Sequence, residues 1–241
     1  MKKKIIPVVI LIALAAGLYI KYRDGRDFRY AGTIEATETD LSARIPGTIA
    51  AYGTDEGDPV KKGQTVVSLD CADQRLAAGI AADDFKRAEE LYKGGSMSKE
   101  NYDRLKYKRD NTALQVDWCS VKSPVNGRTL YTYHENGELV GPGTKLLTVA
   151  DLSEVWEYIY VPHDLLAKLS VEMPVKGYLP EAGDRAFPGR ISVIYPEAEF
   201  TPKNVQTRKE RTRLVYAVKV SFPNPDEALK PGMTLEVALP E

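Results

Sequence analysis

Residues 47–70 read GTIAAYGTDEGDPVKKGQTVVSLD, and residues 127–150 read GRTLYTYHENGELVGPGTKLLTVA. At an offset of eighty the two segments lie over each other without a gap. Gly47, Gly57 and Gly63 fall on Gly127, Gly137 and Gly143, Asp58 falls on Glu138, and Val60 on Val140. The apolar run Val66-Val67-Ser68-Leu69 falls on Leu146-Leu147-Thr148-Val149. Each copy predicts strand, turn, short strand, turn, strand. Glycine supplies the positive φ of tight turns, and β-branched residues favour the pleated surface. Neither copy is long enough to bury a core alone. The pattern therefore predicts two halves packed on each other as one small sandwich.

Composition sets the outer bounds. The chain has 241 residues, 43% hydrophobic and 28% charged, which suits one or two modest globular cores. Lysine plus arginine number 33 against 34 acidic residues, so net charge gives no reason to expect nucleic-acid binding. His134 and His163 are the only histidines, and no His/Cys/Asp/Glu spacing suggests a zinc site. There is neither a nucleophile motif nor a phosphate-binding glycine frame. The expectation is a non-enzyme without cofactor or metal.

The chain opens MKKKIIPVVILIALAAGLYIKYR. An uncharged stretch over residues 5–20 is preceded by Lys2, Lys3 and Lys4 and followed by Lys21 and Arg23. Sixteen residues make a helix of roughly 24 Å, near the lower limit for a membrane span. Two readings of residues 1–26 stay open, an uncleaved signal anchor and a secretory signal cut near Ala13, Ala15 and Ala16. Both export the remainder.

Between the repeats, residues 72–93 are rich in alanine and charge, free of proline, and predict a helix. Its expected apolar stripe is Leu76, Ile80, Ala88 and Leu91, with Phe85 nearby. Gly94 and Gly95 end it. Ser98 caps a second helix, with Glu100 in its first turn and Tyr102, Leu105, Ala113 and Val116 as its apolar positions. Residues 71–118 thus predict a helical hairpin. Beyond the repeat, strands are expected at 155–162, 174–179, 189–195, 214–222 and 233–239, with a short helix after Pro162. Residues 29–45 are expected to give one strand to this group and one to the sandwich. The group predicts a small antiparallel barrel over residues 151–241, closed so that no edge is left.

The paired half-motifs resemble the lipoyl/biotinyl domain. In carriers of that family a lysine in the turn between the halves bears the cofactor. Here residues 71–118 replace that turn, and Lys61 and Lys62 lie within the first half as an ordinary solvated turn. A split lipoyl-like sandwich (27–70 and 119–150), a hairpin insertion and an N-terminal membrane segment resemble a HlyD-type membrane fusion protein. Residues 195–220, YPEAEFTPKNVQTRKERTRLVYAVKV, resemble a segment of adaptors that serve ABC exporters.

The resemblance implies a mainly β fold of four parts: a barrel-sandwich hybrid, a coiled-coil hairpin, a small β-barrel and an N-terminal membrane helix. It implies a non-catalytic periplasmic adaptor, anchored in the inner membrane of a Gram-negative bacterium and assembled as a hexameric ring. Its partners would be an inner-membrane ABC transporter and a TolC-type outer-membrane channel. In RAEELYKGGSMS, Arg87, Leu91 and Ser98 match the family's channel-docking pattern. Lys203, Arg208, Lys209, Arg211 and Arg213 form a basic loop that either contacts transporter, protomer or lipid, or is simply solvated. Cys71 and Cys119 open and close the hairpin, which puts them side by side at its base and predicts a disulfide. The alternatives are an accessory envelope-binding module that never meets a channel and a lipoyl/biotinyl carrier-like protein.

Overall fold

The computed structural model describes residues 28–183, 185–200 and 214–239. They form two compact units, one of residues 36–153 and one built from the chain up to residue 35 together with residues 154–241.

In the first unit, β2 (Glu35–Ser42), β3 (Gly47–Tyr52), β4 (Pro59–Val60) and β5 (Thr65–Asp70) precede two helices, and β6 (Ser120–Lys122), β7 (Gly127–Thr132), β8 (Leu139–Val140) and β9 (Lys145–Pro162) follow them. One sheet has the order β6-β5-β3-β8, and in the other β2 and β7 pair with β9 while β4 pairs with β7. The offset of eighty governs the hydrogen bonding as well as the sequence. Gly47 pairs with Val140 across the halves, and Gly127 pairs with Val60. Gly57 N donates to Thr129 O at 2.8 Å, and Gly137 N donates to Ile49 O at 2.8 Å. Gly63 N donates to Ser123 O, and Gly143 N to Ala43 O, so the correspondence extends back to positions 43 and 123. The turn glycines have matching φ values of 88° and 83° in the first half and 91° and 85° in the second, a region costly for residues with a Cβ. Each half thus closes the other's turns. Between them lie Ile49, Val66, Val67, Leu69, Leu146, Leu147 and Val149, all at most 1% exposed.

The helices α1 (Ala72–Lys93) and α2 (Lys99–Asp117) interrupt this unit. The predicted stripe on α1 needs correction. Its buried residues are Ala81, Phe85 and Ala88, whereas Leu76 and Ile80 are 67% and 53% exposed. The less exposed positions Gln74, Ala78, Ala81, Phe85 and Ala88 alternate spacings of four and three, which keeps one seam facing a partner helix. On α2 the less exposed positions include Tyr102, Leu105, Arg109, Thr112 and Val116, while Ala113 is exposed. The bulky partners of α2 are met by the aromatic residues of α1. Phe85 lies 5.4 Å from the Tyr102 ring, Tyr92 stacks on Tyr102 at 4.6 Å, and the Arg109 guanidinium covers Phe85 at 4.0 Å.

The second unit contains β1 (Arg29–Thr33), residues 154–162 of β9, a short helix α3 (His163–Leu166), β10 (Pro174–Leu179), β11 (Arg185–Phe200), β12 (Leu214–Pro223) and β13 (Thr234–Ala238). Its strands pair antiparallel in the order β1-β13-β10-β11-β12-β9. The expected closed barrel is not formed, because this path is open and its ends, β1 and β9, share no ladder. The two ends nevertheless approach closely. A Cβ placed on Gly32 would stand 2.7 Å from the Tyr158 carbonyl oxygen and 2.6 Å from Glu157 Oε2. The carboxyl group of Glu157 therefore lies beside β1 where a closing ladder would run. The interior is mainly apolar, with Ile34, Val155, Ile159, Ile191, Val220, Phe222, Leu229 and Leu235 at most 1% exposed, and Ser221 and Asn224 are buried there too. The Phe222 ring fills the space left by Gly177 and Gly189, whose added Cβ atoms would sit 2.7 Å and 2.5 Å from it.

Candidate partner-binding site

Helix α1 begins after Cys71, with Asp73 in its first turn, and ends at Gly94. Gly95 takes a φ of 70°, and Ser96 N donates to Leu91 O at 2.8 Å, which satisfies one of the carbonyls left open at the helix end. Helix α2 begins at Ser98, whose Oγ accepts from Asn101 N at 3.4 Å. The disulfide Cys71–Cys119 ties the base of the helix pair, with Cα atoms 6.2 Å apart.

Arg87 and Leu91 stand one turn apart on α1, and Ser98 lies beyond the turn at the start of α2. The Arg87 guanidinium donates to Asp84 Oδ1 at 2.6 Å, and Lys108 of α2 approaches Asp84 Oδ2 at 3.5 Å. Asp84 thereby holds Arg87 near α1 while linking the two helices. The Arg87 side chain is still 68% exposed, and Leu91 is 49% exposed. Successive residues turn by about 100°, so Leu76, Ile80, Arg87 and Leu91 fall within roughly 60° of one another around the helix. The seam of Ala81, Phe85 and Ala88 lies about 120° away on the same wheel. The outer stripe thus runs most of the length of α1, with Leu76, Ile80 and Leu91 exposed and Arg87 held by Asp84. Apolar side chains flanking a guanidinium suit a surface presenting both carbonyls and apolar side chains.

Lys203, Arg208, Lys209, Arg211 and Arg213 lie outside the described residues, as does the apolar stretch at 5–20. No described helix is long and apolar enough to cross a membrane. No group of three or more His, Cys, Asp or Glu that could hold a metal occurs among the described residues.

Glu157 escaped the reading of the sequence. The signal was there: in VWEYIYVP, Val155, Ile159 and Val161 alternate inward, and Glu157 occupies the inward position between them. It is 0% exposed, and neither carboxyl oxygen has a hydrogen-bond partner. Burial pushes its pKa from 4.5 up to about 8, and the nearby Gly32 amide only partly offsets this without making a proper hydrogen bond.

The CusB-like β-barrel domain family matches residues 154–241. Over nearly its whole length the chain is similar to the UPF0194 membrane protein YbhG of Salmonella paratyphi B, 22% identical, with 98% of this chain and 97% of the relative covered. Two solved structures share the fold. A MacA–MexA chimera carrying the Pseudomonas aeruginosa MexA α-hairpin superposes with a TM-score of 0.69 at 19% identity, covering 88% of this chain and 80% of the chimera. The membrane fusion protein Spr0693 of Streptococcus pneumoniae superposes with a TM-score of 0.59 at 18% identity, covering 87% and 96%. The fold is therefore the one these two structures share. Residues 154–241 are thus similar to the CusB-like β-barrel domain, and the whole chain is similar to a membrane protein of the UPF0194 group.

Proposed function

We propose that this chain is the periplasmic adaptor between an inner-membrane ABC exporter and a TolC-type outer-membrane channel. It acts without catalysis, as a ring of several copies. The observation that carries the reading is the outer stripe of α1, where Leu76, Ile80 and Leu91 remain exposed with Arg87 among them. Burying such a stripe against a partner is favourable by about 25 cal/mol per Å² of apolar surface, less the cost of ordering. The stripe leads to the tip, where Arg87, Leu91 and Ser98 would meet the channel. The alternating spacing of the seam supports a short coiled coil.

In this reading residues 1–26 anchor the chain in the inner membrane, and residues 27–70 with 119–150 form a lipoyl-like scaffold. Residues 71–118 form the arm, and residues 151–241 meet the exporter. The basic loop of Lys203, Arg208, Lys209, Arg211 and Arg213 adds a contact to transporter, neighbouring protomer or lipid. The Cys71–Cys119 bond forms in the oxidising periplasm and fixes the base of the arm.

The test is co-purification after in-cell cross-linking, comparing the full chain with Arg87→Glu/Leu91→Asp. The expected result is recovery of an ABC permease with both proteins and of an outer-membrane channel with the unsubstituted chain alone. Recovery of the permease with neither protein, or equal channel recovery from both, would overturn the reading. Absence of any channel would favour an accessory envelope module.

A further inference from the structure

Glu157 is a fully buried carboxyl group on β9, facing β1, and among the described residues β1 and β9 share no ladder. Its residue pairs with Val220 on β12 on one side. On the other side its Oε2 faces the backbone of Gly32, where any larger residue would collide with it. β1 is held by hydrogen bonds to β13 but has no ladder to β9. β2 begins at Glu35 and does pair with β9, so the stretch without a ladder is confined to β1 itself, and it contains a side chain whose charge state can change.

Among the described residues no charged neighbour pairs with this carboxylate. On β1, Arg29 is directed to Glu236 of β13 at 3.3 Å and to the Tyr178 ring of β10. On β9, Glu154 is paired with Arg190 of β11. On β12, Lys219 lies over the Trp156 ring, on the face opposite the interior. Lys176 of β10 is exposed, Arg185 of β11 pairs with Asp226, and Asp164 of α3 acts on Tyr30. Only burial and the Gly32 amide act on Glu157. An ionised carboxylate in such a place must be hydrated, and water reaches it most cheaply where no ladder has to be broken.

We propose that Glu157 is a proton-controlled latch on the β1–β9 seam: protonated, it lets β1 lie against β9, and deprotonated, it draws water in and parts the seam. The transition falls near pH 8, within the range an envelope protein can meet. Parting the seam leaves β1 held by its ladder to β13. The device acts independently of channel docking.

Amide hydrogen exchange on the full chain between pH 6.5 and 9.5, corrected for the intrinsic pH dependence of exchange, tests this. Protection of residues 29–34 and 154–162 is expected to fall at least tenfold across pH 8, while protection of β10 and β11 stays level. Glu157→Gln should keep the seam protected at every pH. Carbon-13 NMR of the Glu157 carboxyl carbon should show titration over the same interval. Level protection in the unsubstituted chain, or a carboxyl that titrates near pH 4.5, overturns the proposal whatever the variant does. So does an equal loss of protection in Glu157→Gln.

Discussion

The two units treat buried polar groups in opposite ways. In the sandwich, Thr54 Oγ1 and Thr129 Oγ1 are bonded to each other at 3.1 Å, and Ser123 Oγ donates to Val125 O at 2.7 Å. Thr148 Oγ1 donates to Asp40 at 2.7 Å. In the barrel unit Asn224 is satisfied twice by the Leu229 backbone, but Glu157 is left with nothing. A unit whose buried polar groups are all answered suits a scaffold. A unit that keeps one unanswered carboxyl loses stability whenever that group ionises.

Replacing Glu157 gives the largest expected effect. The folded pKa is raised above the unfolded value, so the unfolded chain gives up the proton first as pH rises. The contribution of this group to stability is therefore fully present below about pH 4.5, falls through the window from 4.5 to about 8, and is level above it. A shift of this size corresponds to at most about 5 kcal/mol. Denaturant unfolding at pH 9 is expected to show Glu157→Gln more stable than the parent by several kcal/mol and nearly equal to it at pH 4. Equal stability at pH 9 would erase the contrast between the units.

Next comes the tie at the base of the hairpin. The Cys71–Cys119 bond spans a sequence separation of 48, for which chain entropy gives about 4 kcal/mol. Cys71→Ser/Cys119→Ser is expected to lose up to that amount from residues 36–153 and to leave the barrel unit's exchange rates unchanged. Non-reduced mass spectrometry with alkylation should find no free thiol in the parent.

The repeat itself can be tested by breaking its symmetry. Gly47 and Gly127 are equivalent, yet a Cβ at 47 meets nothing nearer than 3.2 Å, whereas at 127 it would collide with the Ala150 carbonyl oxygen. Gly127→Ala should cost about 2–3 kcal/mol in thermal unfolding, and Gly47→Ala about 1 kcal/mol or less. Equal losses would mean the two halves are packed alike.

These contrasts also mark what the sequence could reveal. The offset of eighty was legible because glycine spacing is set by turn geometry, and turn geometry is local. The exchanged bonds Gly57 N–Thr129 O and Gly137 N–Ile49 O were implicit in it. The seam of α1 differs from the expected stripe because hydrophobicity favours leucine, whereas the buried face is the one whose Phe85 meets Tyr102 and Arg109 of the partner helix. That is a property of the partner helix and does not show in the α1 segment alone. The barrel's open seam was hidden for the same reason: strand count predicts closure, but whether β1 and β9 pair depends on Gly32 and Glu157, which lie 125 positions apart.

The smallest effect on stability is expected at the outer stripe of α1. Leu91→Ala and Arg87→Ala should change unfolding by no more than about 0.5 kcal/mol, because neither side chain is buried in the unit. Their effect belongs to the partner. A photoreactive amino acid at position 91 of the full chain, activated in intact cells, tests this most directly. The account predicts a covalent adduct with an outer-membrane channel subunit, identified by mass spectrometry and absent when the group is placed at buried Ala88. Adducts with inner-membrane proteins alone, or the same adducts from both positions, would contradict it.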